Sequence, residues 1–188
     1  MKTHHPNLLD RTTTLLVIVD MQEPFLNVIH ERARLTENIR LLAQTAAILN
    51  IPVVSTVQYA ERMGGLVPEI SEVLPTSARW PLDKLCFSCA RSEEFAAFLA
   101  ASGRRQILLC GVETHICISQ TALDLVHLGY QVHVAADAVS SRSQEKHKLG
   151  MERLRDSGVL PCAAEAAVYE LLGEAGTPEF KSILKLVK

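Results

Sequence analysis

The sequence is short of aromatic residues, of net charge and of long apolar stretches, and each shortage excludes a class of protein. Aromatic side chains make up only 5% of the chain, so aliphatic residues must form the core. The net charge of −2 provides no basic surface that would predict binding to nucleic acid. No apolar run approaches the roughly 20 residues of a membrane helix, and residues 1–14 lack the apolar segment of a signal peptide. A cytoplasmic location is therefore the expectation.

Motifs that bind phosphate groups or carry a serine nucleophile are absent as well. Neither GxGxxG nor GxxxxGK[ST] occurs, so the common nucleotide-binding loops are excluded. The G-x-S-x-G turn of many serine hydrolases is also missing. The sequence therefore predicts no organic cofactor.

Cysteine is present, but not in a pattern that predicts disulfides or zinc. The count of five is odd, which argues against a disulfide framework in a chain without a secretion signal. Cys86 and Cys89 form one C-x-x-C pair, and no second pair follows to complete a four-ligand zinc site. We interpret the pair as small buried residues beside Phe87 rather than as a redox or metal site.

Apolar segments alternate with amphipathic ones along the whole chain. The apolar segments predict strands at Leu15–Val19, Pro52–Val57, Leu85–Phe87, Ile107–Val112, Gln131–Ala135 and Val159–Cys162. The amphipathic segments predict helices at Glu31–Leu49, Ser92–Ala101, Thr114–Leu128, Ser143–Ser157, Ala164–Leu172 and Pro178–Leu186, with a short one at Pro68–Val73. Such alternation predicts a doubly wound, Rossmann-like α/β/α fold, in which helices cover both faces of a parallel sheet.

Three reactive residues fall near the carboxyl ends of these strands, where doubly wound sheets place their ligand sites. Asp20 follows the first strand, Lys84 precedes Leu85–Phe87, and Cys117 lies in the first turn of the helix that begins near Thr114. With Thr114 as the N-cap, the helix dipole predicts a lowered pKa for the Cys117 thiol. Each residue alone also has a structural interpretation, as a capping acid, a solvated lysine or a small core residue.

A cysteine–histidine dyad is the alternative arrangement for a nucleophilic thiol. His115 lies two positions before Cys117. Helical residues two positions apart point in different directions, so we favour the combination of Asp20, Lys84 and Cys117.

The segments around these residues resemble the isochorismatase-like cysteine hydrolases, in particular the small stand-alone isochorismatase domain-containing proteins. The matching segments are LLVIVDMQEPF, STVQYAERMGGLVPEI, DKLCFS, CGVETHICISQTALDLVHLGYQVHVAADAVSSRS and PEFKSILKLVK. They extend over nearly the whole chain. The resemblance implies a single domain over 1–188 with a six-stranded parallel sheet.

The resemblance also implies roles for individual residues. Asp20, Lys84 and Cys117 would form a catalytic triad. The peptide bond between Val112 and Glu113 would be cis and would turn the Glu113 N–H toward an oxyanion beside the Cys117 N–H.

By their positions, four more residues are expected to line the substrate pocket: Gln22, Phe25, Gln58 and Ile116.

The chain departs from some members of that family, and the departures refine the expected chemistry. Zinc-dependent nicotinamidases carry an Asp and two His after the second strand, whereas this chain has TVQYAERMGG there, so no metal is expected. Isochorismatases proper lack the nucleophilic cysteine, so we expect hydrolysis of an amide-type C–N bond through a thioester. Near Cys162 a common Thr-Thr-Glu run is replaced by CAAE, which changes the expected pocket polarity.

The resemblance further implies a homo-oligomer that acts on a small molecule. The alternative hypothesis from another class is a protein of this fold that binds a ligand or senses oxidants without turnover.

Overall fold

The computed structural model describes residues 5–78 and 81–187, and its centre is a sheet of six parallel strands. The strands are β1 (Thr14–Val19), β2 (Val53–Gln58), β3 (Leu82–Lys84), β4 (Gln106–Val112), β5 (Gln131–Ser140) and β6 (Leu160–Cys162). Their order across the sheet is β3-β2-β1-β4-β5-β6. The doubly wound α/β/α class predicted from the sequence is thereby confirmed.

Helices connect the strands and cover both faces of the sheet. They are α1 (Glu23–Leu26), α2 (Arg32–Ile48), α3 (Ala60–Met63), α4 (Pro68–Ser71), α5 (Glu93–Ser102), α6 (Ser119–His127), α7 (Gln144–Asp156), α8 (Ala164–Leu172) and α9 (Pro178–Val187). The short helices α1 and α3 were not expected from the sequence. No helix in the described part of the chain combines the length and the apolar character that crossing a membrane requires.

The core has two parts, one on each side of the sheet, and β1 shows why. All six of its residues are buried. Leu16 and Ile18 pack into the cluster that includes residues of α2 and α8, whereas Leu15, Val17 and Val19 pack into the cluster that includes residues of α5 and α6. A strand buried on both faces needs apolar residues at every position, which explains the uninterrupted LLVIV segment.

Two predicted elements differ from the structure. Leu85–Phe87 is not a strand, because β3 ends at Lys84. Its partner β2 ends at the same level, since Gln58, the last residue of β2, pairs with Lys84. Beyond that point the backbone has no neighbouring strand, and the Leu85 and Phe87 side chains are exposed. The predicted helix at Thr114–Leu128 begins instead with a π-helical turn, Thr114–Ile118, before α6.

The sheet reverses its winding direction between β1 and β4, and the two strands approach each other very closely there. Gly111 of β4 has φ +114°, and a Cβ atom at this position would lie 2.1 Å from the carbonyl oxygen of Val19. Only glycine fits such a contact. In doubly wound folds the crevice at this reversal point is the place where ligands bind.

Candidate active site

The structure brings Asp20, Lys84 and Cys117 together at the carboxyl edge of the sheet. Asp20 directly follows β1, Lys84 is the last residue of β3, and Cys117 lies in the π-helical turn after β4. The Nζ atom of Lys84 donates to Oδ2 of Asp20 at 2.7 Å. The charge of the same carboxylate acts on the Cys117 thiol, and both side chains line one cavity.

Asp20 is held in place from its backbone and from its side chain. Its N–H donates to the carbonyl oxygen of Thr56 at 3.1 Å, and the Thr56 hydroxyl donates to Oδ1 at 2.9 Å. The backbone of Asp20 has φ +53°, in the left-handed region that few non-glycine residues adopt. Such conformations occur preferentially at functional sites, because the surrounding contacts must stabilise them.

Lys84 is fully buried, and every contact around it favours the ammonium form. Besides the Asp20 carboxylate, Nζ donates to Oε1 of Gln58 at 2.7 Å, and Gln58 in turn donates to the carbonyl oxygen of Leu85 at 2.8 Å. Burial lowers the pKa of Lys84, but the charge of Asp20 and the nearby thiols raise it more, so that it lies above its ordinary value. Lys84 therefore remains a fixed positive charge beside Asp20.

The Cys117 thiol is neutral at rest, which corrects the lowered pKa expected from its position in the sequence. Its side chain is buried, and burial followed by the charge of Asp20 raises its pKa well above the ordinary thiol value, whereas Lys84 only partly opposes this. A thiolate here would place a second negative charge beside the carboxylate. The proton consequently stays on sulfur, beside the group that could accept it.

The turn that carries Cys117 differs from the predicted α-helical start. The peptide bond between Val112 and Glu113 is cis, and the N–H groups of Ile116 and Ile118 both donate to the carbonyl oxygen of Glu113. Thr114 is not the N-cap, because it lies inside the turn. Its hydroxyl instead contacts Nδ1 of His147 at 3.0 Å.

A second ion pair joins Arg142 to Glu113, the residue after the cis peptide bond. Arg142 donates to the Glu113 carboxylate from its backbone N–H at 2.8 Å, from Nε at 3.1 Å and from Nη2. Burial raises the pKa of Glu113, but the hydrogen bonds and charge of Arg142 outweigh burial and bring the pKa below its ordinary value. Arg142 is 48% exposed and Glu113 only 6%, so the pair connects the interior with solvent.

A cavity of about 400 Å³ opens above Cys117. Its walls combine the two ion pairs with apolar side chains and two amides: Asp20, Phe25, Gln58, Phe87, Val112, Glu113, Ile116, Cys117, Gln120 and Arg142.

Three of the four residues expected to line the pocket are on this wall, namely Phe25, Gln58 and Ile116. Gln22 is not. It is fully buried, and its amide donates to the carbonyl oxygens of Gln58 and Gly64 while accepting from the Gln58 N–H, so it joins two loops instead.

Three residues of this wall were not predicted from the sequence, namely Phe87, Gln120 and Arg142. A signal existed for Gln120, which lies one helical turn after Cys117 and so faces the same side. Arg142 follows β5, which continues to Ser140, five residues beyond the predicted strand end at Ala135. No such signal indicated Phe87, because its apolar segment, Leu85–Phe87, predicts a strand rather than a cavity wall.

His115 contacts Ser141, and within the described residues no hydrogen bond joins it to the Cys117 thiol. Its Nδ1 atom lies 2.9 Å from the Ser141 hydroxyl, and it is not part of the cavity wall. Burial lowers its pKa. The dyad with Cys117 therefore has no geometric support.

In the described part of the chain, the remaining cysteines and acids form no group that could hold a metal ion. Cys86 and Cys89 are free thiols, and Cys89 is buried with its sulfur 3.7 Å from the Thr56 hydroxyl. Within residues 5–78 and 81–187, no group of three or more His, Cys, Asp or Glu side chains could hold a metal ion.

Comparisons with known proteins agree with this architecture. A family model described as "Isochorismatase domain" matches residues 14–166. The "Secreted isochorismatase effector Isc1" of Phytophthora sojae (strain P6497) is 39% identical over 178 residues, which are 94% of this chain and 85% of that protein. "Isochorismatase domain-containing protein 2" of Bos taurus is 40% identical over 176 residues, 94% of this chain and 83% of that one.

Among solved structures, a MAR1 ribonuclease from Caenorhabditis elegans is similar, with a TM-score of 0.89 and 32% sequence identity. The match covers 96% of this chain and 92% of that chain.

Proposed function

The chain belongs to the isochorismatase family, whose members are typically hydrolases, and on this basis we propose that it hydrolyses an amide-type C–N bond of a small molecule. The observation that carries the proposal is the cavity wall on which Cys117 lies with the Asp20 carboxylate, which is itself paired with Lys84. In this proposal Cys117 is the nucleophile, Asp20 the general base, and Lys84 the cation paired with the Asp20 carboxylate.

The first half-reaction forms a thioester. As Sγ of Cys117 bonds to the carbonyl carbon, its proton moves to the Asp20 carboxylate, so a free thiolate is not needed beforehand. The C–N bond then breaks, and the proton on Asp20 passes to the departing nitrogen. The raised pKa of Cys117 fits this concerted transfer, because a neutral thiol must lose its proton as its sulfur attacks.

The second half-reaction consumes one water molecule. Asp20 takes a proton from water, the resulting oxygen nucleophile attacks the thioester carbon, and the C–S bond breaks as the proton returns to sulfur. In both halves the backbone N–H groups of Glu113 and Cys117 are proposed to stabilise the oxyanion. Only water is needed as co-reactant, so the scheme uses no metal and no organic cofactor.

Mass spectrometry of the intact protein tests the proposal. A panel of small amides and carbamoyl compounds should include one that adds its acyl mass to the protein and releases the amine. The adduct should map to Cys117 and disappear in Cys117→Ser, while Cys86→Ser, a matched change outside the cavity, should retain it. A turnover that survives in Cys117→Ser would refute the proposal.

The rival hypothesis, ligand binding or oxidant sensing without turnover, has less support. Thiols that sense oxidants are exposed and have a low pKa, whereas Cys117 is buried and its pKa is raised. RNA belongs in the substrate panel because a similar solved structure is named a ribonuclease. Cleavage of RNA that persists in Cys117→Ser would favour a different chemistry.

Assembly and location stay predictions. We expect a homo-oligomer, which light scattering coupled to gel filtration would measure. We also expect a cytoplasmic protein, although one relative is named a secreted effector. Fractionation of source cells and medium would decide between the two locations.

A further inference from the structure

The charged groups on the cavity wall are all engaged with each other. Asp20 is bound to Lys84 and Thr56, and Glu113 to Arg142 through three donors. Each pair sums to no net charge. A carboxylate or ammonium group on a substrate would therefore lose its hydration on entering the cavity without gaining an unpaired counterion.

The two amides on the wall differ in what they can offer a ligand. Gln58 uses both ends of its side chain, accepting from Lys84 and donating to Leu85. Gln120 of α6 has no hydrogen bond to its side chain within the described residues, and it is half-buried. It is thus the uncommitted amide of the wall, with two donors and one acceptor, one helical turn from Cys117.

The rest of the wall is apolar, and the space is small. Phe25, Phe87, Val112 and Ile116 present hydrocarbon surface to the cavity. Its volume of about 400 Å³ equals roughly a dozen waters at about 30 Å³ each. A single substituted ring or a short branched chain fits such a volume, whereas a dinucleotide does not.

We propose that the substrate is a small, uncharged amide with an apolar acyl group, and that Gln120 determines specificity by hydrogen-bonding the substrate's one polar group apart from the scissile carbonyl. This rests on the proposed function, because it assumes that the scissile carbonyl lies over Cys117. The inference specifies the charge, size and polarity of the substrate. It also assigns a role in specificity to Gln120, which is not one of the three proposed catalytic residues.

A matched set of aryl amides tests the charge preference. Benzamide would be compared with analogues that carry a para carboxylate, a para aminomethyl or a para hydroxymethyl group. Ammonia release should give kcat/KM at least about tenfold higher for the uncharged pair than for either charged analogue. A higher value for the carboxylate or the ammonium compound would overturn the inference.

Variants at Gln120 test its role. Gln120→Leu should raise KM for the hydroxymethyl amide about three- to tenfold, the effect of one lost hydrogen bond, and leave kcat nearly unchanged. Gln44→Leu makes the same replacement at a half-buried position of α2 outside the cavity and should change neither parameter. Equal kinetics of Gln120→Leu and the wild type would remove Gln120 from the proposal.

Equilibrium binding separates this inference from the proposed function. In Cys117→Ala, calorimetry should show the same order of affinities, uncharged before charged. Selective binding of uncharged amides without any turnover in the wild type would uphold the inference and refute the proposed hydrolysis. Turnover with a preference for a charged amide would support the proposed hydrolysis and refute the inference. The absence of binding by every compound would also overturn the inference.

Discussion

Two ion pairs contribute side chains to the cavity wall that Cys117 shares, and they differ in their contact with water. Lys84 and Asp20 are both almost completely buried, whereas Arg142 is about half exposed opposite a buried Glu113. A buried pair keeps its full Coulomb attraction, and removing one partner leaves an uncompensated charge in the interior. A half-exposed pair is screened and contributes less. We therefore expect the Lys84–Asp20 pair to take part in proton transfer. We expect the Arg142–Glu113 pair to stabilise the segment that follows β5.

The largest expected effect comes from Asp20→Asn, which removes the base but keeps the shape. Turnover should fall about 10²- to 10⁴-fold. Alkylation of Cys117 by iodoacetamide at mild alkaline pH should become faster, because the Asp20 charge that raises the thiol pKa is lost. Steady-state kinetics measures the turnover, and labelling followed by peptide mapping measures the alkylation of Cys117.

Asp124→Asn provides the control for that variant, since Asp124 forms an exposed pair with Arg91 on the outside of α6. It should change neither turnover nor labelling. Wild-type turnover in a correctly folded Asp20→Asn would eliminate Asp20 as the base.

Lys84→Met removes the ammonium group of the buried Lys84–Asp20 pair. It leaves the Asp20 carboxylate without its cation, which costs about 3–5 kcal/mol of the free energy of unfolding. Labelling of Cys117 should slow down, the opposite of Asp20→Asn, because Lys84 lowers the thiol pKa. Urea denaturation measures the stability, and Lys148→Met at an exposed pair is the control. A loss below about 1 kcal/mol would show that the pair is not effectively buried.

His133 provides a contrast to both ion pairs, because it is a buried ionisable group with no counterion among the described residues. It lies on β5 with 1% exposure, and Nε2 has no hydrogen-bond partner in the described part of the chain. Burial lowers its pKa from 6.5 to about 4. The unfolded chain therefore binds a proton at a higher pH than the folded one, and folding loses stability as pH falls from 6.5 toward 4.

The loss from His133 should total about 3 kcal/mol below pH 4, at 1.36 kcal/mol per pKa unit. His133→Leu should lose less stability than the wild type over that interval, as urea titrations at several pH values would show. Parallel pH profiles of the two proteins would contradict the assignment.

The smallest effect should follow Arg142→Met. Glu113 would keep the backbone N–H of residue 142, and the lost side chain is half exposed, so about 1 kcal/mol of stability should be lost. Most of this difference should vanish in 1 M salt, whereas the effect of Lys84→Met should persist. A salt-independent loss as large as that of Lys84→Met would erase the distinction between the pairs.

Much of the fold follows from local sequence patterns, because parallel strands buried on both faces are apolar throughout and end abruptly. The place where β3 ends was not predictable, since apolar Leu85 and Phe87 continue past the pairing between β2 and β3. Periodicity describes one segment at a time, whereas the length of an edge strand depends on its neighbour.

For the site, the rule that doubly wound sheets place ligand sites at the carboxyl ends of their strands grouped Asp20, Lys84 and Cys117. The family resemblance then implied that the three residues form a catalytic triad. The thiol pKa could not be predicted in the same way. A position near a helix start favours a thiolate, but burial and the Asp20 carboxylate outweigh it, and Asp20 lies about 100 positions earlier in the chain.

The pairing of β1 with β4 has a consequence for synthesis of the chain. Thr14 pairs with Gln106, so about 90 residues must be added after β1 before this edge of the strand can be covered. At about 5–20 residues per second, the apolar strand waits roughly 5 to 20 seconds with only β2 available as a neighbour. Translation of the segment between β2 and β4 is thus the interval in which the nascent chain is most exposed to aggregation. Arg142, the last wall residue of the cavity, leaves the ribosome only after that interval has ended.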